Sequence, residues 1–439
     1  MGTKLYWVGE RARREPKGRF VSIYHHVYDL EHLRRCYQEM KRGKAPGVDG
    51  VGKDDYGRNL EENLQELSER LARMGYRPKP VKRVYIDQPG SRQKRPLGVP
   101  CFEDKLVQKA LSRVLEQIYE EDFLPCSYGY RPGRSPHQAI DLLARTIQRR
   151  KVSWVGEADI RSYFDRVNHE WLLELLRHRV ADPRVLRLIG RFLKAGVMEE
   201  GLKRASEQGT PQGGVLSALL SNVYLHYALD LWVERKFRRR GRGEMYYFRY
   251  ADDFLCCFQY RGEAQVYLRE LEKRLRKLGL QLAEDKTRLV RLGRFAERQQ
   301  PPGGGKTRTF DFLGFNFYGG QTRHGSFKVK RRTGRKKFRD KLKQYNQWLR
   351  RRRNDYRTAE WVQRSRQMLQ GHLNYYAITD NGPRCEAFRR QVWHLLRKWL
   401  NRRSQRRSYS VEQFQQLLVW HGWPSVQIRH RLCPFGRRL

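Results

Sequence analysis

Acidic residues are scarce for a chain of 439: 47 Asp+Glu stand against 92 Lys+Arg, a formal charge of +45. A compact protein with that surplus repels itself unless a polyanion neutralises it, so contact with phosphates is its expected use. Long apolar runs are missing too, and none approaches the roughly 18 residues of a membrane span. The opening stretch MGTKLYWVGERARREPKGRF has no apolar signal core, and Tyr6 stands where a myristoylation signal needs Ser or Thr. Cysteine is sparse: there are seven, scattered except for Cys256 and Cys257, and none forms a Cys-x-x-Cys pair. That rules out a zinc finger or ribbon, and Cys433 has no neighbours for a four-cysteine nuclease module. The cysteines are expected to be buried small apolar residues. These absences exclude a membrane, secreted or purely structural role and point to an intracellular, cytoplasmic protein. What is present is 39% apolar and 12% aromatic residues, enough for real cores and too much for a disordered polycation.

The charge is uneven. Residues 321–439 hold 31 Lys+Arg against 6 Asp+Glu, a net of +25 and more than half the total surplus. The breaker cluster Pro301-Pro302-Gly303-Gly304-Gly305 precedes this stretch. A mixed body before about residue 320 and a basic helical part after it are expected. Apolar residues at Leu60, Leu64, Leu67 and Leu71 mark a helix over Leu60 to Met74, ending at Gly75. Val81 to Ile86 and Pro96 to Val99 read as a strand pair with a basic tip. Asp104 to Tyr119 reads as a helix capped by Asp104, and Asn168 as the cap of a helix over His169 to Val180. Ser153 to Ile160 is a short buried strand. A stripe of Val215, Leu219, Val223, Tyr227 and Leu231 defines a long helix. Tyr246 to Tyr260 reads as two strands broken at Ala251-Asp252-Asp253, Gly262 to Gly279 as a helix, and Phe310 to Tyr318 as one strand. The order is that of an α+β fold.

Two acidic spots sit where strands end or turn: Asp159, and Asp252-Asp253 at a hairpin tip beside Tyr250 and Phe254. Carboxylates at strand termini project beyond the sheet edge, and three converging there would repel one another unless cations lay between them. Hard oxygen ligands of this kind suit Mg²⁺, and two such ions about 4 Å apart stabilise the entering and leaving oxygens of an in-line phosphoryl displacement. A lone Asp-Asp pair is most often a solvated turn, and a lone Asp159 could be a helix cap. Between the two spots lies Gly209-Thr210-Pro211-Gln212-Gly213-Gly214, a turn that opens a helix and presents backbone N–H groups. The three elements in this order carry the argument together.

Further short stretches stand in a fixed order along the chain: Lys44 to Gly50 (KAPGVDG), Arg95 to Pro100 (RPLGVP) and Ser127 to Ser135 (SYGYRPGRS). They continue with Ala158 to Ile160, Phe164-Asp165, Gly209 to Leu220, Tyr250 to Asp253, Leu278 to Leu280, Lys286-Thr287 and Phe312 to Phe315. In these stretches the chain resembles group II intron reverse transcriptases and maturases, of the short bacterial kind without an endonuclease domain. The likeness implies a right-hand polymerase: fingers over residues 1–150, a palm with interleaved fingers elements over 151–320, and a basic helical thumb and maturase region over 321–439. It implies that Asp159, Asp252 and Asp253 hold two Mg²⁺ ions, with Asp159 and Asp252 as the direct ligands. Phe164 would be the aromatic gate beneath the sugar, excluding a 2′-hydroxyl. Gln212 would pack under the incoming dNTP, Arg95 would hold its triphosphate, and Lys286 would protonate the pyrophosphate leaving group. Two positions depart from the family pattern: Gln88 stands where a second basic residue is usual, and Ser217-Ala218 where Ser-Pro is usual. Neither removes a catalytic group.

In the basic part, Arg/Lys runs interleave with Tyr345, Trp348, Trp361, Tyr375, Tyr376, Trp393 and Trp399. Three amphipathic helices with aromatics inside are expected, with Tyr375, Trp393 and Trp399 in the core. The likeness implies that this part embraces a template–primer duplex and binds structured intron RNA, by backbone and shape, to assist splicing and mobility. The expected partners are an RNA template, a DNA or RNA primer, dNTPs and intron RNA, with association to the bacterial nucleoid when acting on DNA. Two other readings stand beside this one: a splicing-only RNA-binding maturase, and a domesticated enzyme of host repair or phage defence.

Overall fold

The computed structural model describes residues 3–87, 94–199, 202–204, 209, 214–296, 309–322, 324–403 and 408–432. Its first half is organised around the helix Phe102–Asp122. That helix buries Leu106, Val107, Ala110, Leu111, Val114, Leu115 and Ile118, at spacings of one, three and four that exceed a single stripe. Such a helix must be covered on several sides, and Thr3–Arg14, Leu30–Glu39, Leu60–Ala72 and Val215–Leu225 share its hydrophobic cluster.

Strands β1 (Val81–Asp87) and β2 (Lys94–Val99) pair as an antiparallel hairpin, with Val84 opposite Leu97. Its expected basic tip lies outside the described residues. Strand β3 (Trp154–Ala158) ends one residue before Asp159. The short β4 (Val197–Glu199) and β5 (Leu202–Arg204) form a hairpin whose first strand adds parallel to β1. Strands β6 (Met245–Tyr250), β7 (Asp253–Phe258) and β8 (Arg288–Arg291) join β3 in a central sheet of order β6-β7-β3-β8. Strands β9 (Phe310–Phe312), β10 (Phe315–Gln321) and β11 (Phe327–Thr333) make a third, antiparallel sheet. The architecture is α+β.

The central sheet is covered on both faces. Along β7, Phe254, Cys256 and Phe258 belong to the cluster around the Phe102–Asp122 helix, while Leu255 and Cys257 belong to a second cluster. Alternate side chains thus enter different cores, and the strand reads as an unbroken apolar run for that reason. The second cluster runs from Val155, Leu255 and Val290 through Phe310 and Phe317 to Trp361, Leu369, Phe388 and Leu396. The boundary expected near residue 320 therefore falls within β10 and divides no core.

Several expectations are corrected. The helix expected from Asp104 starts at Phe102 with Cys101 before it, and Asp104 does not cap it. Its carboxylate accepts from the Tyr76 hydroxyl and from the Lys79 backbone N–H at 3.2 Å, contacts with another part of the chain. The single strand expected over Phe310 to Tyr318 is two, because Leu313 and Gly314 turn tightly with positive φ of 49° and 81°. Phe310 then stacks on Phe317 across the turn at 4.8 Å. The helix capped by Asn168 does form, with the Asn168 side chain accepting from Trp171 N–H, but it ends at Arg177. Where three helices are expected in the basic part, the described residues form four, Arg335–Arg351, Thr358–Tyr376, Gly382–Leu400 and Val411–Trp420, and β11 precedes them. Trp361 is fully buried, and Trp399 lies in the core with its indole N–H donating to Asn346 at 2.7 Å. Tyr375 and Trp393 are only partly buried against that core. Cys36, Cys101, Cys256, Cys257 and Cys385 are buried as expected and Cys126 is half-buried, while Cys433 lies outside the described residues. Among the described residues no helix is long and apolar enough to cross a membrane.

One buried group makes stability depend on pH. Burial of His226 pushes its imidazole down to about 4, with Arg249 adding to that effect and Asp230 opposing it. The unfolded chain takes up this proton near pH 6.5 and the folded chain does not, so stability is full above that pH and is lost as pH falls toward 4. His226→Phe is expected to remove about 2–3 kcal/mol of that acid sensitivity. Thermal melts of both proteins between pH 4 and 7 measure it as a flatter profile in the variant.

Candidate active site

The ladder between β3 and β7 brings the acids together. Ala158 lies opposite Phe254, so the next step along both strands sets Asp159 beside Asp253, with side chains on one face. Tyr250 pairs with Asp253 and closes a two-residue loop of Ala251 and Asp252. Ala251 takes a positive φ of 55° there. Asp159, Asp252 and Asp253 therefore stand at one end of the two central strands, although 93 positions of chain separate Asp159 from Asp252.

The electrostatics show how close they are. Solvent reaches Asp253, yet enough protein surrounds it that burial, followed by the charges of Asp252 and Asp159, pushes its carboxyl up to about 6. Lys337 and Lys286 pull the other way. Lys286 lies in the turn Glu284–Lys286, and its ammonium donates to Asp159 Oδ2 at 2.6 Å. That hydrogen bond raises the Lys286 pKa above its ordinary value, so the group holds its proton at neutral pH. The turn is fixed to the acid's own backbone, since Ala283 N–H donates to Asp159 O at 2.8 Å.

Phe164 sits in the one-turn helix Tyr163–Arg166, just past the end of β3, with only 8% of its surface exposed. Ser162 before it has a left-handed φ of 48°. Gly209 is moored to this turn: its N–H donates to Val167 O at 2.9 Å, and a Cβ would come within 2.8 Å of Phe164 O. With φ at +86°, the position suits only glycine. Gln212 lies outside the described residues. Arg95 pairs with Ile86 in the hairpin of β1 and β2, and its side chain lies outside what is described.

Among the described residues, no three His, Cys, Asp or Glu side chains close into a ready-made metal cage. The donors at the sheet edge are all carboxylate oxygens, and their mutual repulsion is what a hard divalent cation would relieve. Sequence reasoning missed Lys337, in the first helix of the basic part, since nothing local ties it to the acids. It also missed Arg249, which is fully buried behind the turn. A charged residue between Phe248 and Tyr250 in an apolar strand was the available signal.

The family profile described as reverse transcriptase (RNA-dependent DNA polymerase) matches residues 86–317, more than half the chain and a span that includes Asp159, Phe164, Arg249, Asp252, Asp253 and Lys286. The chain belongs to the reverse transcriptase family. Among similar proteins, Protein YkfC of Escherichia coli (strain K12) is 38% identical over 258 residues, covering 52% of this chain and 66% of that protein. Group II intron-encoded protein LtrA of Lactococcus lactis subsp. cremoris is 37% identical over 214 residues, 49% of this chain and 35% of LtrA. Nuclear intron maturase 1, mitochondrial, of Arabidopsis thaliana is 35% identical over 97 residues, 22% of this chain and 13% of its own length. The chain thus spans less than two thirds of the length of these relatives. Its likeness to intron-encoded proteins and maturases agrees with the resemblance carried by the motifs.

Proposed function

We propose that this chain is an RNA-directed DNA polymerase that extends a primer with dNTPs and also binds structured intron RNA. The observation that carries the reading is the meeting of Asp159, Asp252 and Asp253 at one sheet edge, with Lys286 on Asp159. Asp159 and Asp252, with Asp253 beside them, would hold magnesium, which would supply positive charge to the oxygens of the phosphoryl displacement. Lys286 stays protonated through its contact with Asp159 and donates that proton to the departing pyrophosphate. Phe164 fills the space beneath the sugar and turns away a 2′-hydroxyl. Arg95 and Gln212 hold the triphosphate and the underside of the nucleotide. The basic helices from Arg335 onward grip the template–primer duplex and the RNA backbone.

Primer extension by the purified chain on an RNA template with Mg²⁺ and dNTPs is the test. A labelled primer that lengthens supports the reading, and RNA binding without extension would leave a maturase alone. The phosphate-binding part has its own measurement. Affinity for RNA is expected to fall by about 10³-fold or more between 50 and 200 mM salt, the behaviour of six or more phosphate contacts. A flat titration by filter binding would contradict it.

A further inference from the structure

Behind the acidic turn lies a polar network sealed from water. Arg249, the residue before Tyr250, is wholly buried, and all five of its N–H groups are used. Nε and one Nη2 hydrogen donate to the two carboxylate oxygens of Asp230 at 2.7 and 2.6 Å. Nη1 donates to Asn222 Oδ1 at 2.8 Å and to the Ala251 carbonyl at 3.1 Å, and the remaining Nη2 hydrogen goes to Ser127 Oγ at 2.7 Å. Asn222 passes the connection on, its amide donating to the Gly129 carbonyl at 2.7 Å. Gly129 lies against the turn so closely that a Cβ there would collide with the Ala251 nitrogen and stand 2.9 Å from the Tyr250 carbonyl carbon. The backbone joins in, Arg249 N–H donating to Cys126 O and Tyr128 N–H to Arg249 O, each at 2.8 Å.

Two features show that this network bears on the turn. Ala251 holds a left-handed φ without being glycine, at a cost of about 1–3 kcal/mol, and such a residue persists only where its surroundings over-determine it. The surroundings here are the Arg249 guanidinium on its carbonyl and Gly129 on its nitrogen. The second feature is the helix that supplies Asn222 and Asp230. In an ideal α-helix two residues eight positions apart differ by roughly 80° around the axis. The chain widens into i→i+5 turns from His226 to Asp230, which takes up most of that difference and aims both side chains at Arg249.

We propose that Arg249, together with Asn222, Asp230, Ser127 and Gly129, is the positioning device of the Ala251-Asp252 turn and sets the place of the Asp252 carboxylate relative to Asp159. The inference rests on the polymerase reading and deepens it: these residues touch no substrate and act through Asp252. Asn222→Ala cuts the link from Arg249 to Gly129 while leaving the Arg249–Asp230 pair intact, and Gly129→Ala pushes a methyl against the turn. Ser127→Ala, which removes a single acceptor, is the gentler variant if the others do not fold. Leu188→Ala, a core change in a remote helix, is the control for lost stability alone.

All are assayed by single-turnover primer extension on an RNA template against Mg²⁺ and dNTP concentration, with melting temperatures recorded. The network variants are expected to lose about tenfold or more in kcat, with KM for dNTP and template affinity within about twofold, the pattern of an interaction felt in the transition state. They should also need more Mg²⁺ for half-maximal rate, whereas Leu188→Ala should lower only the melting temperature. Folded network variants with the wild-type kcat and Mg²⁺ requirement would overturn the inference and leave the polymerase reading standing. An unmodified chain that extends no primer would overturn both.

Discussion

Asp252→Asn is expected to slow dNTP addition by about a thousandfold or more, because a neutral amide would replace one of the two carboxylates proposed to hold the cation that offsets charge on the phosphoryl oxygens. The fold should not suffer. Asp252 is one of the like charges that push Asp253 upward, so neutralising it relieves repulsion, and the melting temperature should stay level or rise. This separates a catalytic acid from a structural one, whose loss lowers activity and stability together. Single-turnover primer extension and thermal melts on the same samples read both quantities. Wild-type activity in a well-folded Asp252→Asn protein would refute the assignment of that residue.

The second large effect concerns the sugar. Phe164→Val shortens a nearly buried ring that stands next to the end of β3, opening space for a 2′-hydroxyl. The ratio of kcat/KM for deoxynucleotide over ribonucleotide is expected to fall by about 10–100-fold, the range a few methylene-sized contacts control. Activity on dNTPs should persist, since the ring holds no reacting atom. Part of the ring packs in the core around Tyr163 and Tyr224, so the melting temperature should drop by a few degrees, as lost core contacts require. Incorporation of matched dNTP and rNTP on one template measures the ratio, and an unchanged ratio would remove Phe164 from its proposed role.

The sequence carried the local signals and lost the distant ones. The hairpin around Ala251-Asp252 was legible because two aromatic-rich runs flank a polar break. The Asn168 cap was legible because its side chain bonds within three residues of itself. That Asp159 stands next to Asp253 could be expected from motif order but not read from pattern, since it depends on β3 pairing with β7 across most of the central part of the chain. Asp104 misled for the same reason: an acid near a helix start resembles a cap, while its real partners, Tyr76 and Lys79, come from an earlier segment. The wide turns after Leu225 were invisible to a stripe counted at a period near 3.6, and those turns aim Asp230 at Arg249. The tight turn at Leu313-Gly314 was read through as strand because phenylalanines recur on both sides of it. In the basic part, lysines and arginines drew attention to charge and hid β11, whose alternate residues Val329, Arg331 and Thr333 point inward.

Divalent ions are expected to bind between Asp159 and the Ala251-Asp252 turn. Manganese in place of magnesium makes that visible, through anomalous scattering from crystals of the chain with template–primer and an unreactive dNTP analogue. The account predicts one or two peaks within coordination distance of Asp159 and Asp252 carboxylate oxygens, lost in Asp252→Asn. Peaks elsewhere on the molecule, with none at this sheet edge, would contradict it.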